Sequence, residues 1–266
     1  MDWRIKMNKR FIFVLLIILL FALIIGDSGL AAEEYPQLYN YLEGAEDFKE
    51  NVERQAIEFA DTFHLSANTE EKVVALTFDD GPHSIYTEKI LDILDEYKIK
   101  ASFFMIGNRI DRYSGLVEKV SNKGHYVGNH SYNHPNFSNM QDEIVFAEEI
   151  YPTSEIIEKV TGNYPKIIRP PYGSISDSQI EYLKEENWQI INWSVDTFDW
   201  KSELNDPQQM YEEIIKNHHP GMVILMHDSS GGSGNGLDML PQLIETLQDK
   251  GYEFVTVKEL LYLYNN

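Results

Sequence analysis

The sequence predicts an α/β fold: a distorted (β/α)7 barrel resembling a TIM barrel, preceded by an N-terminal signal or anchor and a short helical extension. Three observations lead there. From Val73 onward, seven short β-rich runs alternate with amphipathic helical segments, and repeated strand, helix, strand units imply a parallel sheet with helices outside it; seven units favour a barrel, with a short open sheet as the alternative. The residues able to carry chemistry fall at the C-terminal ends of those runs. A length of 266 residues, 43% hydrophobic and 12% aromatic, is enough for a large core, and barrels routinely use that much chain as one domain.

At the N-terminus, Arg4, Lys6, Lys9 and Arg10 precede an uninterrupted apolar run from Phe11 to Ile25, followed by a small-residue stretch ending at Ala32. This is the layout of a secretory signal. The run is shorter than the ~20 residues that span a bilayer, so cleavage near Ala31 or Ala32 is expected over retention as an anchor. In either case the basic flank stays inside and the remainder is translocated. We therefore expect an exported protein, secreted or wall- or membrane-associated, that meets a membrane only through residues 1–32. Residues 33–70 form an acidic stretch in which Leu38, Tyr41, Leu42, Ala45, Phe48, Val52, Ala56, Phe59, Ala60 and Phe63 recur at steps of three and four. It reads as one amphipathic helix, packed on the outside of the barrel or spacing it from the membrane, with no visible chemistry.

The strand runs are VVALTF (73–78), ASFFMI (101–106), YVGNH (126–130), IIRP (167–170), QIINWS (189–194), MVILM (222–226) and EFVTV (253–257). Helical segments separate them, the longest being DEIVFAEEIYPTSEIIEKV, and the barrel domain is expected over residues 71–266. Asp79 and Asp80 follow the first strand, His130 ends the third, Arg169 lies at the end of the fourth, Asp196 follows the fifth and His227 the sixth. In parallel barrels, loops after strand C-termini build the functional face, so these residues should meet at one mouth.

Charge and composition exclude other classes. With 22 basic against 43 acidic residues, the net charge of -21 repels phosphate backbones, so nucleic acid is not an expected partner. There is no cysteine, so a metal would have to be held by His and carboxylates. Nothing in the sequence speaks to oligomeric state.

At these strand ends the sequence resembles the polysaccharide deacetylase family, the NodB-homology domain of carbohydrate esterase family 4. Five motifs carry the resemblance in order: TFDDGP (77–82), HSYNHP (130–135), RPPYG (169–173), DTFDW (196–200) and LMHD (225–228). It extends from about Val73 to Tyr264. One departure is Ser102 in KASFF, where the family more often has Thr; it concerns core packing.

The resemblance implies an amide hydrolase acting on an extracellular amino-sugar polysaccharide. Peptidoglycan is the first expectation, chitin or its oligosaccharides the second, and an O-acetyl esterase acting on a glycan such as xylan stays open, as does an inactive wall-binding module. His130 and His134 with Asp80 would supply two imidazoles and one carboxylate to one divalent metal ion, leaving positions for water and substrate. Zinc suits these ligands best, and cobalt, nickel and manganese also accept them. Asp79 takes the general-base role and Arg169 is expected to hold it through a bidentate ion pair. His227 is the expected acid for the leaving amine, and the Tyr172 backbone N–H a candidate oxyanion donor. Asp196 and Asp199 are candidates to raise the pKa of His227 or to brace Arg169; Asp199 is the first choice for the histidine, and the sequence leaves the choice between them open. Tyr172, Trp200 and Leu225 would face the sugar rings and the acetyl methyl. His64, His83, His125, His218 and His219 read as structural or solvated.

Overall fold

The computed structural model describes residues 45–201, 206–228 and 235–264. The signal or anchor expected at residues 1–32 and the first part of the acidic extension lie outside these residues. Among the described residues, no helix is long and apolar enough to cross a membrane.

The longest strand, β2 (Val73–Gly81), organises the sheet. The others, in chain order, are β1 (Phe63–His64), β3 (Ser102–Met105), β4 (Tyr126–Asn129), β5 (Ile167–Ile168), β6 (Gln189–Ile191), β7 (Val195–Asp196), β8 (Met222–His227) and β9 (Glu253–Phe254). The order is β1-β6-β5-β4-β3-β2-β8-β7, with β9 on β2, and every pairing is parallel. β8 runs along β2 from Val74 to Asp79. β9 pairs at Val73 and Val74 and β3 begins at Thr77, so these two share the opposite edge of β2.

A short link curls this sheet into a barrel. β6 and β7 lie toward opposite ends of the strand order, yet only Asn192, Trp193 and Ser194 separate them. Four residue steps reach at most ~14 Å, so the two ends of the sheet must approach each other. The link bonds to both sides: Asn192 N–H donates to His64 O in β1, and Ser194 N–H donates to Val223 O in β8. The expected strand 189–194 is therefore cut at Ile191, and its chain resumes as β7 on the far side. Together with β1, this makes nine strands among the described residues where the hydrophobic pattern shows seven.

Side chains alternate across the strands, so each strand serves two cores. Val74, Leu76 and Phe78 point outward into a large cluster with α1 (Tyr86–Tyr97), α2 (Ser114–Asn122), α3 (Tyr151–Thr161), α4 (Pro207–Asn217) and α5 (Asn235–Asp249). Val73 and Ala75 point inward with Phe104, Ile191, Trp193, Val223 and Leu225. Continuing upward on that inner face, Thr77 and Asp79 are buried but polar. The interior thus turns from apolar to polar toward the C-terminal mouth.

Two expected helices are revised. The N-terminal helix spans Ala45–Glu58 in the described residues and stops short of Phe63, which instead joins β1 and pairs with Ile190. Phe63 N–H bonds back to Phe59 O at the helix end, so apolar spacing continued past a turn that it could not reveal. The segment expected as one long helix is broken into Asp142–Ile144, a π-helical stretch Val145–Ile150, and α3. Pro152 accounts for this: it has no N–H to return to the carbonyl four residues back, and its ring crowds that turn.

Candidate active site

The end of β2 separates two adjacent carboxylates. Pairing with β3 runs Thr77–Ser102, Phe78–Phe103 and Asp79–Phe104, then resumes at Gly81–Met105, leaving Asp80 as an extra residue in a bulge. Asp80 has φ 72°, a left-handed conformation seldom taken by a non-glycine residue. Asp79 therefore keeps the inward direction of the strand while Asp80 turns toward the mouth. Arg109 Nη1 donates to Asp80 O at 2.5 Å and steadies the bulge. A Cβ at Gly81 would lie 2.3 Å from Asp228 Oδ2, so any side chain there would displace the Asp228 carboxylate.

Asp80, His130 and His134 converge, each offering one ligand atom within 4.8 Å of the others. Asp80 Oδ1 lies 3.5 Å from His130 Nε2 and 3.1 Å from His134 Nε2. That oxygen is buried with no hydrogen-bond partner in the protein. His130 Nδ1 faces Arg169 O at 2.7 Å and must donate to it, which turns the Nε2 lone pair toward Asp80. Burial works to lower the pKa of His130, but Asp79 and Asp80 overcome it and raise it. Burial likewise works to raise that of Asp80, and the contacts with His130 and His134 hold it far below the usual carboxylate range. The surroundings favour positive charge at this point, and the donor set fits a divalent metal ion.

Arg169, 0% exposed, sits directly beneath. Nη1 donates to Asp79 Oδ1 at 2.8 Å and to Thr77 Oγ1 at 2.7 Å, Nη2 to Asn192 O at 2.8 Å, and Nε to Ile191 O at 3.0 Å. The guanidinium lies 4.4 Å from the centre of the Phe104 ring. The ion pair expected to be bidentate is carried by a single nitrogen, because the rest of the fork is taken by the backbone link that closes the barrel.

On the other side of Asp79, in register with it on β8, stands His227. Its Nδ1 lies 2.7 Å from Asp199 Oδ1, and its backbone N–H donates to Asp199 Oδ2 at 2.8 Å. Burial would lower the pKa of His227, but Asp199, then Asp79 and Asp80, push it up to about 10. Asp196 interacts with His227 through charge, while the hydrogen bonds of His227 go to Asp199. Asp196 Oδ1 accepts from Phe198 N–H and Trp200 Nε1, and burial raises its pKa to about 6. Its influence on Arg169 is through charge, the described hydrogen bonds of that guanidinium going to Thr77, Asp79, Ile191 and Asn192.

These groups open into a cleft of about 390 Å³. Tyr172, Trp200 and Leu225 line it, together with residues that sequence reasoning did not single out: Phe48, Asn136, Ser174 and Trp193. Tyr172 has φ 60°, is 60% exposed, and its ring meets His134 edge-on at 4.8 Å between centroids. Phe48 comes from the helix Ala45–Glu58, which is fixed to the loop after Tyr172 by Gln55 Nε2 donating to Ile175 O at 2.9 Å and Arg54 pairing with Asp177 at 2.8 Å. Its spacing marks an apolar helix face and carries no sign of the cleft. His64, His83, His125, His218 and His219 lie outside the lining; His64, for example, bonds Gln189 at 2.7 Å.

Comparison with known proteins follows the same outline. The polysaccharide deacetylase family profile matches residues 66–191. A peptidoglycan-N-acetylglucosamine deacetylase of Bacillus cereus is 39% identical over 210 residues, 79% of this chain and 73% of that protein. Among solved structures, a peptidoglycan N-acetylglucosamine deacetylase in complex with a naphthyl N-hydroxybenzamide superposes with TM-score 0.74 at 36% identity, covering 77% of this chain and 96% of that one. A family 4 acetyl xylan esterase from Clostridium thermocellum, in complex with a cobalt ion, gives TM-score 0.67 at 33% identity, covering 72% and 91%.

Proposed function

This chain belongs to the polysaccharide deacetylase family, and on that basis we propose that it hydrolyses the acetamido groups of peptidoglycan, with N-acetylglucosamine units as first substrate. The observation that carries the reading is the pairing of Asp79 and His227, side by side on neighbouring strands, in a cleft that Asp80, His130 and His134 also line.

Asp80, His130 and His134 would hold a divalent ion, first zinc, with cobalt, nickel and manganese accepting the same donors. When bound, the ion supplies Lewis-acid polarisation of the acetyl carbonyl and lowers the pKa of water. Asp79 takes the proton of the attacking water, and Arg169 keeps that carboxylate ionised and aimed. The Tyr172 N–H donates to the oxyanion as charge develops. His227, kept protonated by Asp199, gives its proton to the departing amine, which leaves poorly without it. Trp200 and Leu225 form the apolar wall for the acetyl methyl, while Tyr172 and Phe48 face the sugar.

The likeness to an acetyl xylan esterase supports a second reading, O-acetyl ester hydrolysis with the same groups. The signal-like residues 1–32 support export, with action at the cell wall. Mass spectrometry of peptidoglycan, chitin oligomers and acetylated xylan, each incubated with the metal-loaded protein, tests the proposal. Loss of acetyl mass from peptidoglycan is the expected result; loss from xylan alone would replace the amide reading with the ester one.

A further inference from the structure

The two imidazoles assigned to the metal belong to a loop held mostly by groups outside it. Ser131 and His134 both have positive φ, 66° and 63°, which L side chains seldom adopt, so the surrounding structure must impose this conformation. All five backbone N–H groups from His130 to His134 have partners. His130 N–H donates to Met105 O in β3, Ser131 N–H to Asn129 Oδ1, and His134 N–H to Ser131 Oγ. The other two, of Tyr132 and Asn133, converge on one oxygen, Glu149 Oε2, at 2.8 and 2.7 Å. Asn133 Nδ2 donates to the second oxygen, Oε1, at 2.9 Å.

Glu149 is 4% exposed and lies in the π-helical stretch Val145–Ile150. The wide turn buries Val145, Phe146, Glu149 and Ile150 together, which lets a charged residue face the same way as the apolar ones around it. The stretch reaches the loop a second time, where Ile150 O accepts from Asn129 Nδ2 at 2.7 Å, the same side chain that receives Ser131 N–H. Wide helical turns of this kind concentrate at functional sites because they re-aim side chains. The loop's carbonyls are held as well, Gly107 N–H donating to Ser131 O and Asn108 N–H to Tyr132 O. Both its N–H groups and its carbonyls are thus held mostly by residues outside it.

We propose that Glu149 is a positioning residue for the metal site: its carboxylate, delivered by the π-helical turn, fixes the 130–134 loop so that His130 and His134 present Nε2 to one ion together with Asp80. This rests on the assignment of those three residues as metal ligands. Removing Glu149 frees two backbone N–H groups and the Asn133 side chain, and His134, at the far end of the loop, loses its set direction. Partners that orient ligands typically change metal affinity ~10-fold to ~100-fold when removed.

The test measures the dissociation constants of Zn2+ and Co2+ by chelator competition for the wild type, Glu149→Ala, Glu149→Gln, His134→Ala and Ile157→Ala, with melting of each metal-free protein. Visible absorption of the Co2+ forms reports the ligand geometry. Glu149→Ala should weaken both metals ~10-fold to ~100-fold and alter the Co2+ spectrum. Glu149→Gln keeps one acceptor oxygen, so it should fall between that variant and the wild type, and it carries the test if the alanine variant does not fold. Ile157→Ala, in the core side of α3, should lower the melting temperature and leave metal affinity unchanged, which separates positioning from plain destabilisation. Affinities of the Glu149 variants within about twofold of wild type, with an unchanged Co2+ spectrum, would overturn the inference. Failure of the wild type to bind metal, or full binding by His134→Ala, would instead overturn the ligand assignment beneath it.

Discussion

Asp199 grips His227 twice, taking Nδ1–H on one carboxylate oxygen and the backbone N–H of the same residue on the other, at 2.7 and 2.8 Å. Both contacts come from a single side chain, so the imidazole is oriented and charged by the same group. The Nδ1 proton is committed to Asp199, and Nε2 is the position from which a proton can be delivered.

The first prediction follows from that commitment. His227→Ala should depress amide hydrolysis far more than hydrolysis of a nitrophenyl acetate, whose phenolate leaves without help. Wild-type activity should be present while His227 is protonated and fall as pH rises through its pKa, which Asp199, Asp79 and Asp80 push up to about 10. An ion bound by Asp80 would offset part of that effect and bring the limb below that value. Equal losses on both substrates, with the limb retained, would remove His227 as the acid.

Asp199→Asn should move the alkaline limb toward lower pH, since the raised pKa depends first on that charge once burial is overcome. The stability contributed by the pair should be complete below ~6.5, the unfolded value for histidine, and be lost as pH rises through the folded value of about 10. Denaturant unfolding of both proteins across this range checks the sign. A gap between them that widened with rising pH would contradict it.

The bulge at Asp80 separates the adjacent carboxylates in function as well as direction. Asp79→Asn should retain the metal and lose ~100-fold to ~10,000-fold in turnover, the usual effect of removing a general base. Asp80→Asn, His130→Ala and His134→Ala should lose metal affinity instead, with the fold kept. Metal content by mass spectrometry, read beside kcat, decides the matter; matching metal affinity in the two aspartate variants would refute the division.

Arg169 is bound to the closure of the barrel as well as to Asp79. Arg169→Met would leave a buried carboxylate and two backbone carbonyls unpaired, a loss expected at ~3–5 kcal/mol of unfolding free energy. Denaturant titration should show it as a lower midpoint. A change under ~1 kcal/mol would mean that water or neighbouring groups take over these contacts.

Phe48→Ala should raise KM for oligosaccharides while leaving kcat and metal affinity near wild type, because Phe48 lines the cleft and takes no part in the proton transfers proposed above. An unchanged KM would reduce the helix Ala45–Glu58 to a support for the loop after Tyr172.

Strand and helix alternation, and the gathering of Asp79, Asp80, His130, Asp196 and His227 at one mouth with Arg169 buried beneath it, were legible in the sequence itself. Apolar periodicity is a local property, and a parallel barrel sends every strand end to the same face. Other features depend on partners remote in sequence. The chain alone left open which aspartate meets His227, because Asp196 and Asp199 are three residues apart and only the turn through Phe198, with φ 56°, aims one at β8 and the other at Trp200. It showed a seven-stranded pattern, because β1 falls where helical spacing continues and β7 directly follows the run 189–194, so only their pairing marks them as separate strands. Phe48 and Glu149 looked like ordinary members of helices, one apolar and one charged. Their neighbours are the cleft and the metal-ligand loop, contacts fixed by long-range packing and by a proline-induced wide turn, which local sequence spacing cannot encode.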